Sequence, residues 1–232
     1  MKTIGLIGGM SWESTREYYR ILNEEVRNRL GDPHSCKCIL YSVDFAEIEE
    51  LQHRGAWEEL TSRMISIAVK LESAGAEMLL ICTNTMHAMA DRVQASIKIP
   101  LIHIADTVAE EIKNRGMRKV GLLGTRFTME QDFYRLRLKE KSGIDVIIPD
   151  KDDREHVHSI IYKELIAGII KKKSKDIYLK VIQKLVSNGA EGVILGCTEI
   201  PLLITGVDTD IPLFDTTLLH ARKAVGLALK KE

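Results

Sequence analysis

Several things are scarce in this sequence. Aromatic residues make up 5% of the chain, too few for the stacking platform of a single-strand nucleic-acid binder. Neither sign of charge is in excess, with Lys+Arg and Asp+Glu both at 33. A basic surplus to displace counterions from a phosphate backbone is therefore missing, which argues against nucleic acid as a general partner. No apolar run approaches the roughly 18 residues of a membrane span. The opening MKTIGLIGGMSWEST is interrupted at Gly8, Gly9 and Ser11, and it lacks the apolar core and cleavage site of a signal peptide. The expectation is a cytoplasmic protein with no membrane partner. Cysteine is also scarce. Cys36, Cys38, Cys82 and Cys197 do not make a disulfide framework in a chain of this length, so in a reducing compartment each is core filler, ligand or reactive thiol. Gly5-Leu6-Ile7-Gly8-Gly9 lacks the G-x-G-x-x-G spacing, which excludes a dinucleotide fingerprint.

What is present is an ordinary globular composition, 45% hydrophobic and 28% charged. Short apolar runs alternate with longer amphipathic ones. The runs predict strands at Lys2–Ile7, Cys38–Val43, Met78–Ile81, Leu101–Ile104, Val120–Leu123, Asp145–Ile148, Val193–Leu195 and Leu213–Phe214. Between them, helices are predicted at Ser14–Leu30, Ala56–Ser73, Met86–Ser96, Asp106–Arg115, Thr128–Glu140, Arg154–Lys172, Lys175–Asn188 and Leu218–Lys230. Continuous apolar strands bounded by Gly or Pro are those covered on both faces, so the fold class is α/β with parallel sheets.

The length of 232 residues, about one and a half ordinary domains, is explained by an internal repeat. Lys2-Thr3-Ile4-Gly5-Leu6-Ile7-Gly8 returns as Arg118-Lys119-Val120-Gly121-Leu122-Leu123-Gly124, an offset of 116 from Gly5 to Gly121. Gly75-Ala76-Glu77 and Cys82-Thr83-Asn84 return as Gly189-Ala190-Glu191 and Cys197-Thr198-Glu199, an offset of 115 between the cysteines. Ile99-Pro100-Leu101 returns as Ile211-Pro212-Leu213, an offset of 112. Three matches in one order at nearly one offset indicate two homologous halves. The last helix has no counterpart unless it returns to the first half. The expected division is therefore 1–104 with 213–232 as the first domain, and 105–212 as the second, with a cleft between them.

Each half places a cysteine after a strand and before a helix start. The carboxyl ends of parallel strands are where ligands meet α/β sheets, and free N–H groups at a helix start favour a carboxylate and a thiolate. Thr83, Asn84 and Thr85 are N-cap types, and Pro201 suits a first helical turn. Either cysteine alone reads most simply as a small core residue. The pair reads differently, because a pseudo-twofold axis sets the two sulfurs across the cleft from one another. One sulfur then removes a proton from a carbon while the other delivers a proton to the opposite face, which requires one thiolate and one thiol.

Gly8-Gly9-Met10-Ser11-Trp12, Cys82-Thr83-Asn84-Thr85-Met86-His87 and Gly196-Cys197-Thr198-Glu199-Ile200 resemble the aspartate racemase branch of the aspartate/glutamate racemase family, over essentially the whole chain. The glutamate racemase branch, with an Asp-Ser-Gly turn where this chain has Gly-Gly-Met-Ser, is less similar. The resemblance implies two pseudo-symmetric Rossmann-like three-layer α/β/α domains with the site in the cleft. It also implies a homodimer, no cofactor, an acidic amino acid as substrate, and Cys82 and Cys197 as catalytic acid/bases. Thr83, Asn84, Thr85, Thr198 and Glu199 become candidate substrate contacts, and Met10 occupies the matching first-loop position. Ser42–Glu49 with Gln52 is similar to racemases of broad or L-selective type, and Gln52 is a candidate polar contact. An arginine found in this region of some relatives has no clear match, Arg54 being the nearest. Lys163 aligns with a lysine that pairs with a substrate carboxylate in similar proteins; its plainer reading is an exposed helix lysine.

Lesser features complete the list. Thr125 follows the second copy of the first strand and is a further candidate contact, while Thr128 with Gln131 predicts a capping box. His34 with Cys36 and Cys38 hints at a metal without zinc spacing, so no metal is expected. His87 reads as a packing or capping residue, and Lys171–Lys173 as a solvated helix end. Two other readings stay open: a cysteine enzyme of hydantoin racemase, maleate isomerase or arylmalonate decarboxylase type, and a non-catalytic module that binds a small anion.

Overall fold

The computed structural model describes residues 1–230; the last two residues of the expected segment 213–232 lie outside them. The elements in chain order are β1 (Ile4–Gly8), α1 (Trp12–Leu30), β2 (Cys38–Ser42), α2 (Phe45–His53), α3 (Trp57–Ser73) and β3 (Met78–Ile81). A 3-10 turn (Thr85–Met89), α4 (Ala90–Ala95) and α5 (Ile104–Asn114) follow, then β4 (Lys119–Gly124), α6 (Arg126–Glu130), α7 (Asp132–Ser142) and β5 (Asp145–Ile147). The chain continues through α8 (Lys151–Lys163), a 3-10 turn (Leu165–Ala167), α9 (Lys172–Ser187), β6 (Val193–Gly196), a 3-10 turn (Ile200–Leu202), β7 (Leu213–Asp215) and α10 (Thr216–Ala228).

The strands form two parallel sheets in the orders β2-β1-β3 and β5-β4-β6-β7. Every residue of β1, β3 and β6 is buried, which is why these segments read as unbroken apolar runs instead of alternating ones. The two sheets repeat one plan. β1 and β4 are flanked on one side by β2 and β5, and on the other by β3 and β6.

The chain divides into one unit of residues 1–103 with the segment from His220 onward, and a second of residues 104–219. Each has its own core. Ile7, Leu60, Met64, Leu71 and Ile81 belong to the first, and Val108, Leu122, Tyr134, Tyr178 and Phe214 to the second. Fully burying one such Leu or Ile is worth roughly 1.5–3 kcal/mol. The C-terminal helix is tied into the first unit. The Lys2 N–H donates to the Ala228 carbonyl at 2.9 Å, and Arg222 pairs with Glu25 of α1 at 2.7 Å. Residues 213–219 correct the expected boundary, since β7 pairs with β6 over Val193–Leu195 and completes the second sheet.

Other elements differ from the sequence reading for local reasons. The expected strand Leu101–Ile104 shrinks to a single bridge between Leu79 and Leu101, because α5 already begins at Ile104. Helix α2 is an addition, started by Asp44, whose Oδ1 accepts from the Ala46 N–H at 3.0 Å. The expected helix Arg154–Lys172 ends at Lys163, and Gly168 closes the following turn in the left-handed region at φ +69°. In place of the Thr128–Gln131 box, Thr125 caps α6 by accepting from the Thr128 N–H at 3.3 Å. Among the described residues, no helix is long and apolar enough to cross a membrane.

Candidate active site

In the first unit, the carboxyl ends of β1 and β3 lie side by side, and the Cys82 N–H donates to the Ile7 carbonyl at 2.9 Å. The loop after β1 is built around Thr15. Its hydroxyl accepts from the Gly9 N–H at 2.8 Å and donates to the Ser11 carbonyl at 2.8 Å. Gly9 sits at φ +90°, and a Cβ there would run into the backbone N and O of Val43, so only glycine fits. Ser11 accepts from the Ser14 N–H at the start of α1, and Ser14 Oγ donates to the Cys82 carbonyl at 3.3 Å. The first turn of α1 therefore braces the cysteine loop. His87 Nδ1 lies 2.8 Å from the Thr83 carbonyl oxygen, and its ring meets those of His103 and His220 edge-on at 4.6 and 5.7 Å. His87 is thus the packing and capping residue that its position predicts. Cys82, Asn84 and Thr85 are buried, and Thr83 is partly exposed. Met10 packs in the same cluster as Ile48 and Leu51 of α2, the helix that carries the buried Gln52. Arg54 is exposed and paired with Glu50 at 3.3 Å.

In the second unit, Gly124 and Gly196 face one another at the ends of β4 and β6. Each lies too near the other strand's backbone to carry a side chain: a Cβ on Gly124 would stand 2.8 Å from the Gly196 carbonyl oxygen. This close approach brings Thr125 and Cys197 to one sheet edge. Cys197 Sγ donates to Glu199 Oε2 at 2.9 Å, and Thr198 Oγ1 donates to the same oxygen at 3.0 Å. Cys197, Thr198 and Glu199 are all buried, Glu199 with 2% of its surface exposed. Tyr178 of α9 is a neighbour that the sequence reading missed. It is fully buried and donates to the Val157 carbonyl at 3.2 Å. Burial, reinforced by the neighbouring Cys197, Glu199 and Glu164, holds its phenol well above the usual range. Lys163 is exposed at the end of α8.

Both thiols are pushed up, toward the protonated form, contrary to the expectation from helix starts. Burial, with a smaller contribution from Cys38, pushes Cys82 up. Burial pushes Cys197 up as well, reinforced by the charge and hydrogen bond of Glu199; the backbone N–H groups of Glu199 and Thr198 pull the other way and are outweighed. The segments after the cysteines are short 3-10 turns, and a single turn supplies little dipole against full desolvation. Cys36 and Cys38 interact with each other, and the hydrogen bond from Cys36 lowers Cys38 to about 7. Among the described residues, no group of three or more His, Cys, Asp or Glu is placed to hold a metal ion.

A family model described as Asp/Glu/Hydantoin racemase matches residues 7–224. The crystal structure of a candidate Asp/Glu racemase from Yersinia pestis is 55% identical and covers 99% of this chain and 100% of its own, with a TM-score of 0.92. An aspartate racemase homologue from Pyrococcus horikoshii is 41% identical over 99% of this chain and 100% of its own, with a TM-score of 0.86. The broad specificity amino-acid racemase RacX of Bacillus subtilis is 25% identical, over 97% of this chain and 98% of that protein.

Proposed function

The chain belongs to the Asp/Glu/Hydantoin racemase family, and on that premise we propose that it interconverts the L and D forms of an acidic amino acid, aspartate or glutamate, with Cys82 and Cys197 as the two proton-transfer groups. The observation that carries this reading is the topological equivalence of the cysteines. Each is a free, buried thiol directly after the strand that flanks the central strand of its sheet, β3 beside β1 and β6 beside β4. Racemisation needs a proton removed from one face of the α-carbon and one returned to the other, so it needs two groups of similar kind. The thiols carry both transfers themselves, and the reading calls for no cofactor.

The α-carbon is a weak acid, and charge developing on the substrate must be met by groups already in place. Thr83, Asn84 and Thr85 after Cys82, and Thr125 and Thr198 around Cys197, are the hydroxyl and amide side chains nearest the two sulfurs in sequence and topology. They are assigned to the carboxylates and amino group of the substrate. The acidic substrate class rests on the resemblance to aspartate racemases. Met10 and Gln52 of the first unit and Lys163 of the second are assigned to the substrate side chain.

The test is incubation of the purified protein with L- and D-aspartate and L- and D-glutamate in deuterated water. The expected result is α-deuterium incorporation together with the opposite enantiomer. Absence of both for all four compounds overturns the reading. Exchange restricted to hydantoins, or a covalent adduct detected by mass spectrometry, moves the chain to another branch of cysteine chemistry.

A further inference from the structure

The two cysteine loops differ in one respect. Cys197 donates to a buried carboxyl at 2.9 Å, and that same oxygen, Glu199 Oε2, accepts from Thr198 Oγ1 at 3.0 Å. That oxygen is the acceptor in both bonds. Cys82 has no such partner. Ser14 reaches its backbone carbonyl and not its sulfur, and no carboxyl is hydrogen-bonded to it among the described residues.

We propose that Glu199 holds the proton on Cys197, so that Cys82 is the thiol that ionises for turnover, with Cys197 the proton donor and Cys82 the proton acceptor. This rests on the two-thiol racemase reading and adds to it an order between the thiols. Glu199 is then a positioning residue that acts through Cys197. A negative group beside an acidic substrate repels it, so Glu199 leaves the set of substrate contacts assigned from the sequence. A thiolate on Cys197 would face the Glu199 charge at close range in a site with little water to screen it, whereas a thiolate on Cys82 would not.

The Cys82 thiolate, its proton lost to solvent, takes the α-proton. The C–H bond breaks, an S–H bond forms, and the electron pair stays on the substrate. Cys197 then gives its proton to the opposite face, its S–H bond breaking as the new C–H bond forms. The Cys197 thiolate left beside Glu199 regains a proton from solvent, and Cys82 loses one. The enantiomer whose α-proton faces Cys82 is therefore the one converted first.

Two readouts test this, and one needs no substrate. In a protein with Cys36, Cys38 and Cys82 changed to Ser, thiolate absorbance reports Cys197 alone. Its titratable neighbours are Glu199 on its own loop and Tyr178 on α9, with Glu164 acting on Tyr178. The expected result is that Glu199→Gln shifts Cys197 ionisation down by about one pH unit or more, while Glu199→Asp, which keeps the charge, stays near the parent. An unchanged or upward shift with Gln, or an equal shift with Asp, overturns the proposal. The second readout is a single turnover with enzyme in excess. The Cys197→Ser variant identifies the enantiomer that Cys82 deprotonates by its α-deuterium exchange. The wild type is expected to convert that enantiomer first, by about tenfold or more, and Glu199→Gln to bring the ratio toward one. An equal loss for both enantiomers marks a structural role and overturns the proposal. If the wild type exchanges no amino acid at all, the racemase reading fails, and the thiol titration still decides the role of Glu199.

Discussion

His220 holds two partners that lie far apart in sequence: its Nδ1 is 2.8 Å from the Tyr18 hydroxyl and its Nε2 is 2.7 Å from the Ile102 carbonyl oxygen. A carbonyl only accepts, so Nε2 carries the proton and Nδ1 accepts from the phenol, which fixes one neutral tautomer. The ring ties α10 to α1 and to the segment that precedes α5. Its neutral form is built into the fold.

Acid should therefore destabilise the protein through His220. Burial lowers this imidazole to about 4, while the unfolded chain titrates near 6.5. Between these values the unfolded state binds more protons, so stability is full above about pH 6.5 and is lost as pH falls toward 4. By about pH 4.5 the loss from this group is about 2–3 kcal/mol. Urea midpoints at pH 7 and at about pH 4.5 check it. The wild type is expected to lose more than a His220→Gln variant does over the same interval, and equal losses would remove His220 as the cause.

Gly9→Ala should be much more damaging than Gly75→Ala. Both glycines have positive φ, +90° and +96°, so each substitution carries a left-handed strain of about 1–2 kcal/mol. At Gly75 nothing lies within 4 Å of the new Cβ, whereas at Gly9 it meets Val43 backbone. A loss above about 2 kcal/mol is expected at Gly9, with displacement of the Met10–Ser11 loop. Chemical denaturation of the two variants side by side decides it.

Cys82→Ser and Cys197→Ser should each stop racemisation, by about a thousandfold or more, because serine is a far weaker acid than cysteine. Each variant should still exchange the α-proton of one enantiomer, and the two variants should choose opposite ones. Chiral chromatography with mass detection after incubation in deuterated water reads both properties. Full racemisation by either variant rules out the two-thiol assignment.

Asp44→Ala should cost about 1 kcal/mol by removing the cap of α2, the helix that carries Gln52. Asp44→Asn keeps a capping oxygen and should stay near the wild type in thermal unfolding. Equal destabilisation by Asn and Ala would show that the side chain does not act as a cap.

Much of the candidate site was legible because its signals are local and repeated. Cys82 and Cys197 stand out from four cysteines because each follows the same Gly-Ala-Glu segment and an apolar strand. That the two sheets share one plan follows from the same repeat. Helix α2 escaped notice because nine residues with Ile48 and Leu51 among acidic neighbours make a weak periodicity, though Asp44 was its start signal. The break after Lys163 was signalled by Gly168, which the helical pattern on either side obscured. The place of β7 was not legible, because pairing with Val193–Leu195 is a non-local fact.

By itself the sequence determined the α/β class, the doubled half-length unit and the two cysteines at equivalent strand ends. Residue type and strand period set these within short windows. Only the tertiary structure decided the burial of those cysteines and the contact between Glu199 and Cys197. In the sequence, Cys197-Thr198-Glu199 leads into a turn whose N–H groups favour a thiolate, and Glu199 reads as a substrate contact. The fold buries all three residues and turns the Glu199 carboxyl onto the sulfur. Desolvation depends on what other segments cover a group, and here it outweighs the local backbone that the sequence makes visible.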